Sequence, residues 1–298
     1  MAAEFHLYLP QMRMPMEEIV ARAGAAERAG FAGMALMDHL EPPGAPGTPM
    51  FEAVVTATWL AARTERLTVG HLVLCDAFRH PAVLAKQAVT LDHASGGRFE
   101  LGLGWGSVAA EIEAYGTGDV AAKVRVARLA ETLEVLRRLW SGERVDYEGT
   151  YHTLRDVCAL PAPLGRIPIL IGGTGPRTLE LVAAYADWWN LPVDTLGRLE
   201  ELRPRAGAAR VSVQQFVTFV APGADRDEVV GTARRRFGGM AGETGMATGS
   251  ARELTAHFRT LADRGVERFY VWFTDFARPA TLEAFGEVIA AVGGARVR

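Results

Sequence analysis

Short apolar runs and segments of helical period alternate eight times along the sequence, and this alternation limits the fold more than any other feature. Strands that are buried on both faces of a parallel sheet are typically continuous apolar runs, as these are. Eight strand–helix units in 298 residues predict one α/β domain, a (β/α)8 TIM barrel with insertion segments, over residues 1–298. Two doubly wound domains are the alternative, but no linker separates two halves.

The predicted strands span Phe5–Leu9, Gly33–Met37, Leu67–Leu74, Arg98–Gly102, Ile167–Ile171, Asp187–Asn190, Val211–Val220 and Phe269–Thr274. The predicted helices span Met16–Ala29, Phe51–Arg63, Pro81–His93, Val124–Trp140, Thr178–Ala186, Leu196–Arg205, Asp227–Phe237, Ala251–Arg264 and Thr281–Val292, with a short extra helix at Glu111–Tyr115. Within the predicted loop 146–166, a small hairpin around Glu148 and Gly149 is an option. Residues 237–250 have no apolar period, which predicts a mobile loop.

Composition excludes several kinds of partner. The net charge is −3 without basic blocks, which argues against nucleic acid. We find neither an apolar run of roughly 20 residues nor a signal peptide, so we expect no membrane span. The two cysteines, Cys75 and Cys158, form no disulfide framework, and a reducing cytoplasm fits them. No spacing of histidines and carboxylates is typical of a metal site.

A glycine-rich turn, Gly172-Gly173-Thr174-Gly175-Pro176-Arg177, lies between the fifth predicted strand and a helix. Backbone N–H groups and the helix dipole at such a turn favour an anion, typically a phosphate. Thr174 adds a hydroxyl and Arg177 adds a cation. The alternative is a tight turn without a ligand, because one glycine-rich loop is a weak signal.

Active residues of such barrels lie at the C-terminal ends of the strands, which selects Asp38, His39, Cys75, Gly104 and Trp105. A histidine beside a carboxylate suits proton transfer near neutral pH. The alternatives are that Asp38 caps a loop, that His39 is an ordinary polar residue, and that Trp105 packs under a loop. Cys75 is expected to be a small pocket residue and not a nucleophile.

At these residues the chain resembles the bacterial luciferase-like monooxygenase superfamily, and in particular its actinobacterial branch that uses the deazaflavin coenzyme F420. The segments that carry the resemblance are Asp38-His39-Leu40, Val73-Leu74-Cys75, Arg79-His80-Pro81, Leu84-Ala85-Lys86, Leu91-Asp92-His93, Ser95-Gly96-Gly97-Arg98, Gly102-Leu103-Gly104, Glu111, Ala114-Tyr115-Gly116 and 169–190. The fold of that family is the same barrel with an insertion.

The resemblance implies redox chemistry on coenzyme F420, which we prefer, or on FMN. The phosphate of either cofactor would lie on Gly172, Gly173 and Thr174, with help from Arg177. A strand-three bulge with a non-prolyl cis peptide at Leu72-Val73 would back the ring, near Cys75 and beside Gly104 and Trp105. His39 matches a position suggested for proton transfer, with Asp38 as its neighbour, and these two are the catalytic candidates.

Three functions follow from these residues. The preferred one is hydride transfer between coenzyme F420 and a small organic substrate. The alternatives are a two-component monooxygenase that uses reduced FMN and oxygen, and a barrel that binds a flavin without catalysis. The resemblance also implies, as options, a homodimer and a separate flavin or F420 reductase. Many relatives read Gly-Ala-Gly-Trp where this chain reads Gly104-Trp105-Gly106-Ser107, so no substrate is carried over.

Overall fold

Eight parallel strands form a closed barrel in the computed structural model, which describes residues 3–241 and 245–293. The barrel strands β1 to β8 are Glu4–Tyr8, Gly33–Leu36, Thr68–His71, Phe99–Gly104, Ile169–Gly172, Trp188–Leu191, Arg210–Phe219 and Arg268–Phe273. Each strand pairs in parallel with the next, and β8 pairs with β1. The predicted (β/α)8 architecture is therefore confirmed.

Helices follow the strands and surround the barrel. Their bounds are Met16–Ala29, Ala53–Ala61, Pro81–Ser95, Ala109–Ala114, Ala122–Leu139, Pro176–Tyr185, Leu199–Leu202, Arg226–Ala241, Ala251–Asp263 and Pro279–Gly293. The helix Met16–Ala29 ends at Gly30, whose φ of 92° gives the left-handed conformation that glycine tolerates best. The helix Ala251–Asp263 begins with a capping box formed by Ser250 and Glu253. Among the described residues, no helix is long and apolar enough to cross a membrane.

The core lies between the barrel and its helices. Phe5 on β1 packs against the rings of Phe258, Phe269 and Phe285, with centroid distances of 5.1 to 5.8 Å. At the N-terminal end of the barrel, Arg268 forms ion pairs with Glu4 and Glu100, at 2.8 and 2.6 Å. These side chains line a cavity of about 700 Å³ at that end. The predicted site residues lie at the opposite, C-terminal end.

The third strand is shorter than the predicted Leu67–Leu74. β3 ends at His71, and a two-residue strand, Leu74–Cys75, pairs with β4 further on. Between the two segments lies a cis peptide bond, Leu72-Val73, where the resemblance predicts one. A Cβ on Gly102 would lie 1.8 Å from the carbonyl oxygen of His71, so glycine is needed for β4 to pass the bulge.

Two predicted segments differ from the structure. Residues 237–250 are not simply a loop, because the helix Arg226–Ala241 extends into them and a strand, Met246–Gly249, follows. Residues 242–244 lie outside the described part of the chain. The strand pairs in parallel with Phe216–Phe219 on β7, and its sequence Met-Ala-Thr-Gly has too few apolar residues to signal burial. The predicted helix Leu196–Arg205 is a run of short 3-10 and α-helical turns.

The insertion between β4 and β5 carries an antiparallel hairpin. Its strands are Val145–Glu148 and Thr153–Val157, so the hairpin suggested around Glu148 and Gly149 is confirmed. Glu131 accepts hydrogen bonds from the backbone N–H groups of Thr150, Tyr151 and His152, at 2.7, 2.9 and 3.1 Å. A single helix carboxylate therefore holds the hairpin against the helix Ala122–Leu139.

Candidate active site

A cavity of about 520 Å³ opens at the C-terminal end of the barrel. We refer to it as the ring cavity. It brings together ten of the eleven site residues predicted from the sequence: Asp38, His39, Leu72, Val73, Cys75, Gly104, Trp105, Gly172, Gly173 and Thr174. Parallel strands deliver their C-terminal ends to one edge, which is why residues so far apart in sequence meet here.

His39 is held by a carboxylate from the insertion after β4. Its Nδ1 lies 2.7 Å from Oε2 of Glu111, on the short helix Ala109–Ala114. The other oxygen of Glu111 accepts hydrogen bonds from the backbone N–H groups of Leu40 and Glu41, at 2.6 and 3.3 Å. Glu111 therefore fixes both the imidazole and the loop that carries it. With Nδ1–H donating to the carboxylate, Nε2 is the nitrogen left for a ligand.

Asp38 is engaged on both of its oxygens. Arg79 donates to Oδ2 and Oδ1, at 2.5 and 2.9 Å, and the backbone N–H of Cys75 donates to Oδ2 at 2.7 Å. Arg79 also donates to Glu52 at 2.7 Å. The side chain of Asp38 is only 3% exposed. Through these bonds Asp38 joins the end of β2 to the strand-three bulge and to Arg79.

Glycines in β4 allow the bulge to enter the cavity wall. A Cβ on Gly104 would lie 2.7 Å from Cγ2 of Val73, and a Cβ on Gly106 would lie 2.9 Å from the sulfur of Cys75. Gly106 also has a φ of 86°, which other residues rarely adopt. Burial raises the pKa of the Cys75 thiol to about 11, so it is neutral near pH 7. Together these residues form an uncharged surface.

Trp105 lies against a buried arginine. The guanidinium of Arg125 is 4.7 Å from the centroid of the indole, and its Nη1 donates to the carbonyl of Gly106 at 2.6 Å. Arg125 is 7% exposed and comes from the helix Ala122–Leu139. The cation–π contact and the hydrogen bond hold the Trp105-Gly106 turn, so that the indole lines the cavity in a fixed position.

The glycine-rich turn lines the opposite side of the ring cavity. Gly175 is the N-cap of the helix Pro176–Tyr185, which has proline at its first position. The first N–H groups of a helix lack partners within the helix, so this end can receive an anion. Thr178, predicted only as a helical residue, is 4% exposed and lines the cavity as well.

One sequence-based expectation does not match the geometry. Arg177 is exposed and does not line the ring cavity, because it lies on the outer side of the first helical turn. Trp189, on β6, is fully buried and donates to the carbonyl of Gly173 at 2.8 Å. Trp189 therefore supports the glycine turn from the core. Among the described residues, no group of three potential ligands could hold a metal.

A second cavity, of about 1050 Å³, adjoins the first. We refer to it as the outer cavity. The two cavities share four lining residues: His39, Leu72, Ser107 and Gln214. The free nitrogen of His39 is thus at the junction of two spaces. The ring cavity is lined by the bulge and the glycine-rich turn, and the outer cavity is lined mostly by other side chains.

Three residues that position the site were not selected from the sequence: Glu111, Arg79 and Arg125. Each acts through a partner that is distant in the chain; Glu111, for example, is 72 residues from His39. The sequence predicts a short extra helix at Glu111, and Glu111 also belongs to the segments of the resemblance, but neither observation assigns it a role. The signal that could have indicated a role is its position in an insertion that follows a strand end.

These features define a parallel barrel whose C-terminal end combines a histidine, a glycine-rich turn and a helix N-terminus in one cavity. The chain belongs to the luciferase-like monooxygenase family, whose sequence profile matches residues 2–275. It is 37% identical over 178 residues to an F420-dependent glucose-6-phosphate dehydrogenase of Microbacterium testaceum. That match covers 59% of this chain and 52% of the relative, so the chain spans about half the length of the curated relatives it matches.

Solved structures with the same fold include an F420-dependent dehydrogenase and a monooxygenase. An F420-dependent secondary alcohol dehydrogenase in complex with an F420-acetone adduct superposes with a TM-score of 0.83 at 20% identity, over 98% of this chain and 99% of the other. An EDTA monooxygenase from Chelativorans sp. superposes with a TM-score of 0.84 at 14% identity, over 98% and 95%. At these identities the likeness shows the fold alone.

Proposed function

We propose that this protein is an oxidoreductase that transfers a hydride between coenzyme F420 and a small organic substrate. The observation that carries the proposal is the juxtaposition, in one cavity, of an uncharged bulge, a helix N-terminus and a histidine with one free nitrogen. The curated relatives named as F420-dependent dehydrogenases support the choice of cofactor. Bound there, the deazaflavin supplies the ring that takes up or gives back the hydride.

The residues fit such a group. A Cβ on Gly104 would meet Val73 at 2.7 Å, so glycine there lets the bulge form a wall against which a flat ring can lie. Leu72, Val73, Cys75 and Trp105 complete this wall, and none of them brings a charge. Gly172, Gly173 and Thr174 would hold the phosphate together with the N-terminus of the following helix.

His39 would move the proton that accompanies the hydride. In an alcohol oxidation, Nε2 of His39 would accept the O–H proton while the cofactor would accept the hydride from the carbon. Glu111 stabilises the resulting imidazolium through Nδ1. In the reverse direction, Nε2 returns the proton to the carbonyl oxygen. Asp38 is proposed to position this region through Arg79 and Cys75, not to exchange protons.

The phosphate position is tested by two substitutions at Gly175. Both aspartate and serine are good N-cap residues, so each should preserve the helix. Only aspartate places a negative charge against a phosphate. We expect Gly175→Asp to weaken cofactor affinity at least about tenfold, while Gly175→Ser leaves it near that of the parent. Equal affinity in both variants would locate the phosphate elsewhere.

The alternative function is a two-component monooxygenase with reduced FMN, since the cavity features would suit either cofactor. Anaerobic titration with coenzyme F420 and with FMN, followed by tryptophan fluorescence, ranks the two. We expect tight binding of coenzyme F420 and turnover without oxygen uptake. Tight FMN binding with no binding of coenzyme F420 would overturn the preferred function, and binding without any turnover would support a non-catalytic barrel.

We also propose a homodimer and a cytoplasmic location for a protein that acts as a single domain over residues 1–298. Val55 and Trp59 are exposed one turn apart on the helix Ala53–Ala61, and Phe51, just before this helix, is exposed as well; a second copy would cover them. Both cysteines are free thiols, which suits a reducing compartment. A separate flavin reductase would supply reduced FMN in the monooxygenase alternative, and a separate F420 reductase would supply reduced cofactor if this protein reduces its substrate. Sedimentation of Val55→Glu against the parent tests the dimer.

A further inference from the structure

The outer cavity combines an apolar floor with a charged mouth. Its floor carries four aromatic residues: Tyr8, Phe237, Trp272 and Phe276. Trp272 is held by its neighbours, with ring centroids 4.4 Å from Phe216 and 4.9 Å from Tyr8. Met12 and Met37 pack with these rings, and Met14 and Met240 also line the cavity. Such a floor suits an apolar or aromatic body, because methionine side chains adapt to irregular shapes.

Among the residues that the structure describes, cations outnumber carboxylates around the mouth of this cavity. The lining includes five arginines, Arg13, Arg22, Arg235, Arg236 and Arg278, and two carboxylates, Glu18 and Asp275. Both carboxylates are already engaged within the wall. Glu18 pairs with Arg22 at 2.9 Å, and Asp275 accepts from the N–H of Ala277 and the hydroxyl of Thr281, at 3.0 and 2.6 Å.

Three of the arginines have no such engagement. Arg22 donates to the carbonyl of Phe276 at 2.8 Å, and Arg235 donates to the hydroxyl of Thr232 at 2.9 Å. Arg13, Arg236 and Arg278 form no side-chain hydrogen bond or ion pair with the described residues. They come from three different segments of the chain: the loop after β1, the helix Arg226–Ala241 and the loop after β8. Their convergence on one mouth places positive charge there that no carboxylate of the described residues pairs with.

We propose that the outer cavity is the substrate site and that it takes an apolar, typically aromatic, body that carries an anionic group. This inference rests on the proposed function, and it names the substrate class. The body lies on the aromatic floor, with its reacting carbon toward His39 at the junction with the ring cavity. The anionic group, a carboxylate or sulfonate, lies at the mouth against Arg236 and Arg278. Arginine suits this part because its planar fork binds oxyanions in pairs of hydrogen bonds.

A matched pair of fluorescent probes tests the site without any turnover. Anilinonaphthalene sulfonate has an aromatic body and a sulfonate, and N-phenyl-naphthylamine has a closely similar body without charge. We expect the parent protein to bind the anionic probe about tenfold more tightly than the neutral probe, with the difference shrinking as salt screens the charge. Equal affinity of the two probes would overturn the proposal.

Variants locate the charge that is responsible. We expect the double variant Arg236→Gln, Arg278→Gln to lose most of the preference for the anionic probe and to keep the affinity for the neutral probe. Arg234→Gln is the matched control, because Arg234 is exposed on the same helix but does not line the cavity. If Arg234→Gln weakened the anionic probe as much as the double variant, a diffuse surface charge would explain the binding and the proposal would fall.

Probe binding in the presence of saturating coenzyme F420 distinguishes a failure of this inference from a failure of the proposed function. We expect the anionic probe to remain bound when the cofactor is present, since the two cavities are adjacent spaces. Displacement of the probe by the cofactor would assign the arginines to the cofactor and overturn the substrate class. Failure of coenzyme F420 to bind at all would instead remove the proposed function, whatever the probes do.

Discussion

Nδ1 of His39 lies 2.7 Å from Oε2 of Glu111, although 72 residues separate them in the chain. This pair joins the end of β2 to an insertion after β4, and both side chains are largely shielded from solvent, at 17% and 8% exposure. Nδ1 of the imidazole is therefore bonded to Glu111, and Nε2 is the nitrogen that can contact a ligand. Any role of His39 in proton transfer depends on this difference between its two nitrogens.

We predict that Glu111→Gln lowers the rate of hydride transfer by about tenfold or more, because the amide cannot stabilise an imidazolium as a carboxylate does. Cofactor affinity should stay unchanged, since Glu111 acts through His39. Stopped-flow measurement at saturating cofactor checks both values. Glu113→Gln, an exposed glutamate on the same helix, is the control and should behave as the parent does. Equal rates in all three proteins would remove the pair from the mechanism.

We predict that Gly104→Ala weakens cofactor binding by at least about tenfold, because its methyl would lie 2.7 Å from Cγ2 of Val73 and displace the bulge. Gly197→Ala, where nothing lies within 4 Å of the added methyl, is the control. Fluorescence titration with coenzyme F420 gives both affinities. An unaltered affinity in Gly104→Ala would mean that the bulge does not contact the cofactor.

The buried ion pair of Asp38 and Arg79 should contribute to stability. Removing one partner of a buried pair leaves an uncompensated charge, so Arg79→Met and Asp38→Asn should each lower the free energy of unfolding by about 3 kcal/mol. The double variant should lose less than the sum, because the two changes remove one interaction. Chemical denaturation measures the cycle. The exposed pair of Arg198 and Glu201 is the comparison, and Arg198→Met should cause no measurable loss. Additive losses would show that Asp38 and Arg79 act separately.

The two cysteines should differ in reactivity. Burial raises the pKa of Cys75 to about 11, so its thiolate is scarce at about pH 8, whereas Cys158 is exposed. We expect iodoacetamide to modify one thiol per native chain and both thiols in urea. Mass spectrometry of tryptic peptides identifies the site. Modification of Cys75 at a rate comparable to that of Cys158 would contradict the burial of the ring-cavity wall.

Stability should fall in mild acid because of His71. Burial lowers the pKa of His71 to about 4, although the nearby Asp38 opposes the shift. The unfolded chain has a histidine pKa near 6.5 and binds the proton first, so this stabilisation is complete above about pH 6.5 and is lost as the pH falls toward 4.

Denaturant titrations at two pH values measure that loss. His71 should contribute about 2 kcal/mol to the decrease in unfolding free energy between about pH 7.5 and pH 5. His71→Gln should reduce the decrease, and the exposed His93→Gln should not. The same decrease in all three proteins would assign the acid sensitivity to other groups.

The barrel could be predicted because its signal is local. Each buried strand is an apolar run of its own, so the order of elements follows without any knowledge of contacts. The break in the third strand could not be predicted in this way. Leu72 and Val73 are as apolar as their neighbours, and the glycines that make room for the bulge, Gly102 and Gly104, lie on another strand.

The site was predicted as far as residue type allowed. Asp38 and His39 are adjacent and polar at a strand end, but sequence does not distinguish their tasks. Their hydrogen-bond partners distinguish the two tasks. Arg79 donates to both oxygens of Asp38, and Glu111 accepts from one nitrogen of His39. Arg177 was selected for its charge, although the helical period turns it away from the cavity. Partner choice and side-chain direction are long-range properties, and composition does not encode them.

The strand Met246–Gly249 pairs with the last four residues of β7, beyond the stretch of β7 that pairs with β6. The added strand extends one side of the C-terminal rim of the barrel by four residues, which is roughly 13 Å. This added strand is separate in sequence from the segments that carry His39, Glu111 and the glycine-rich turn. Evolution could therefore lengthen, shorten or replace the added strand, and so change which molecules enter the cavities, while those three features stay the same.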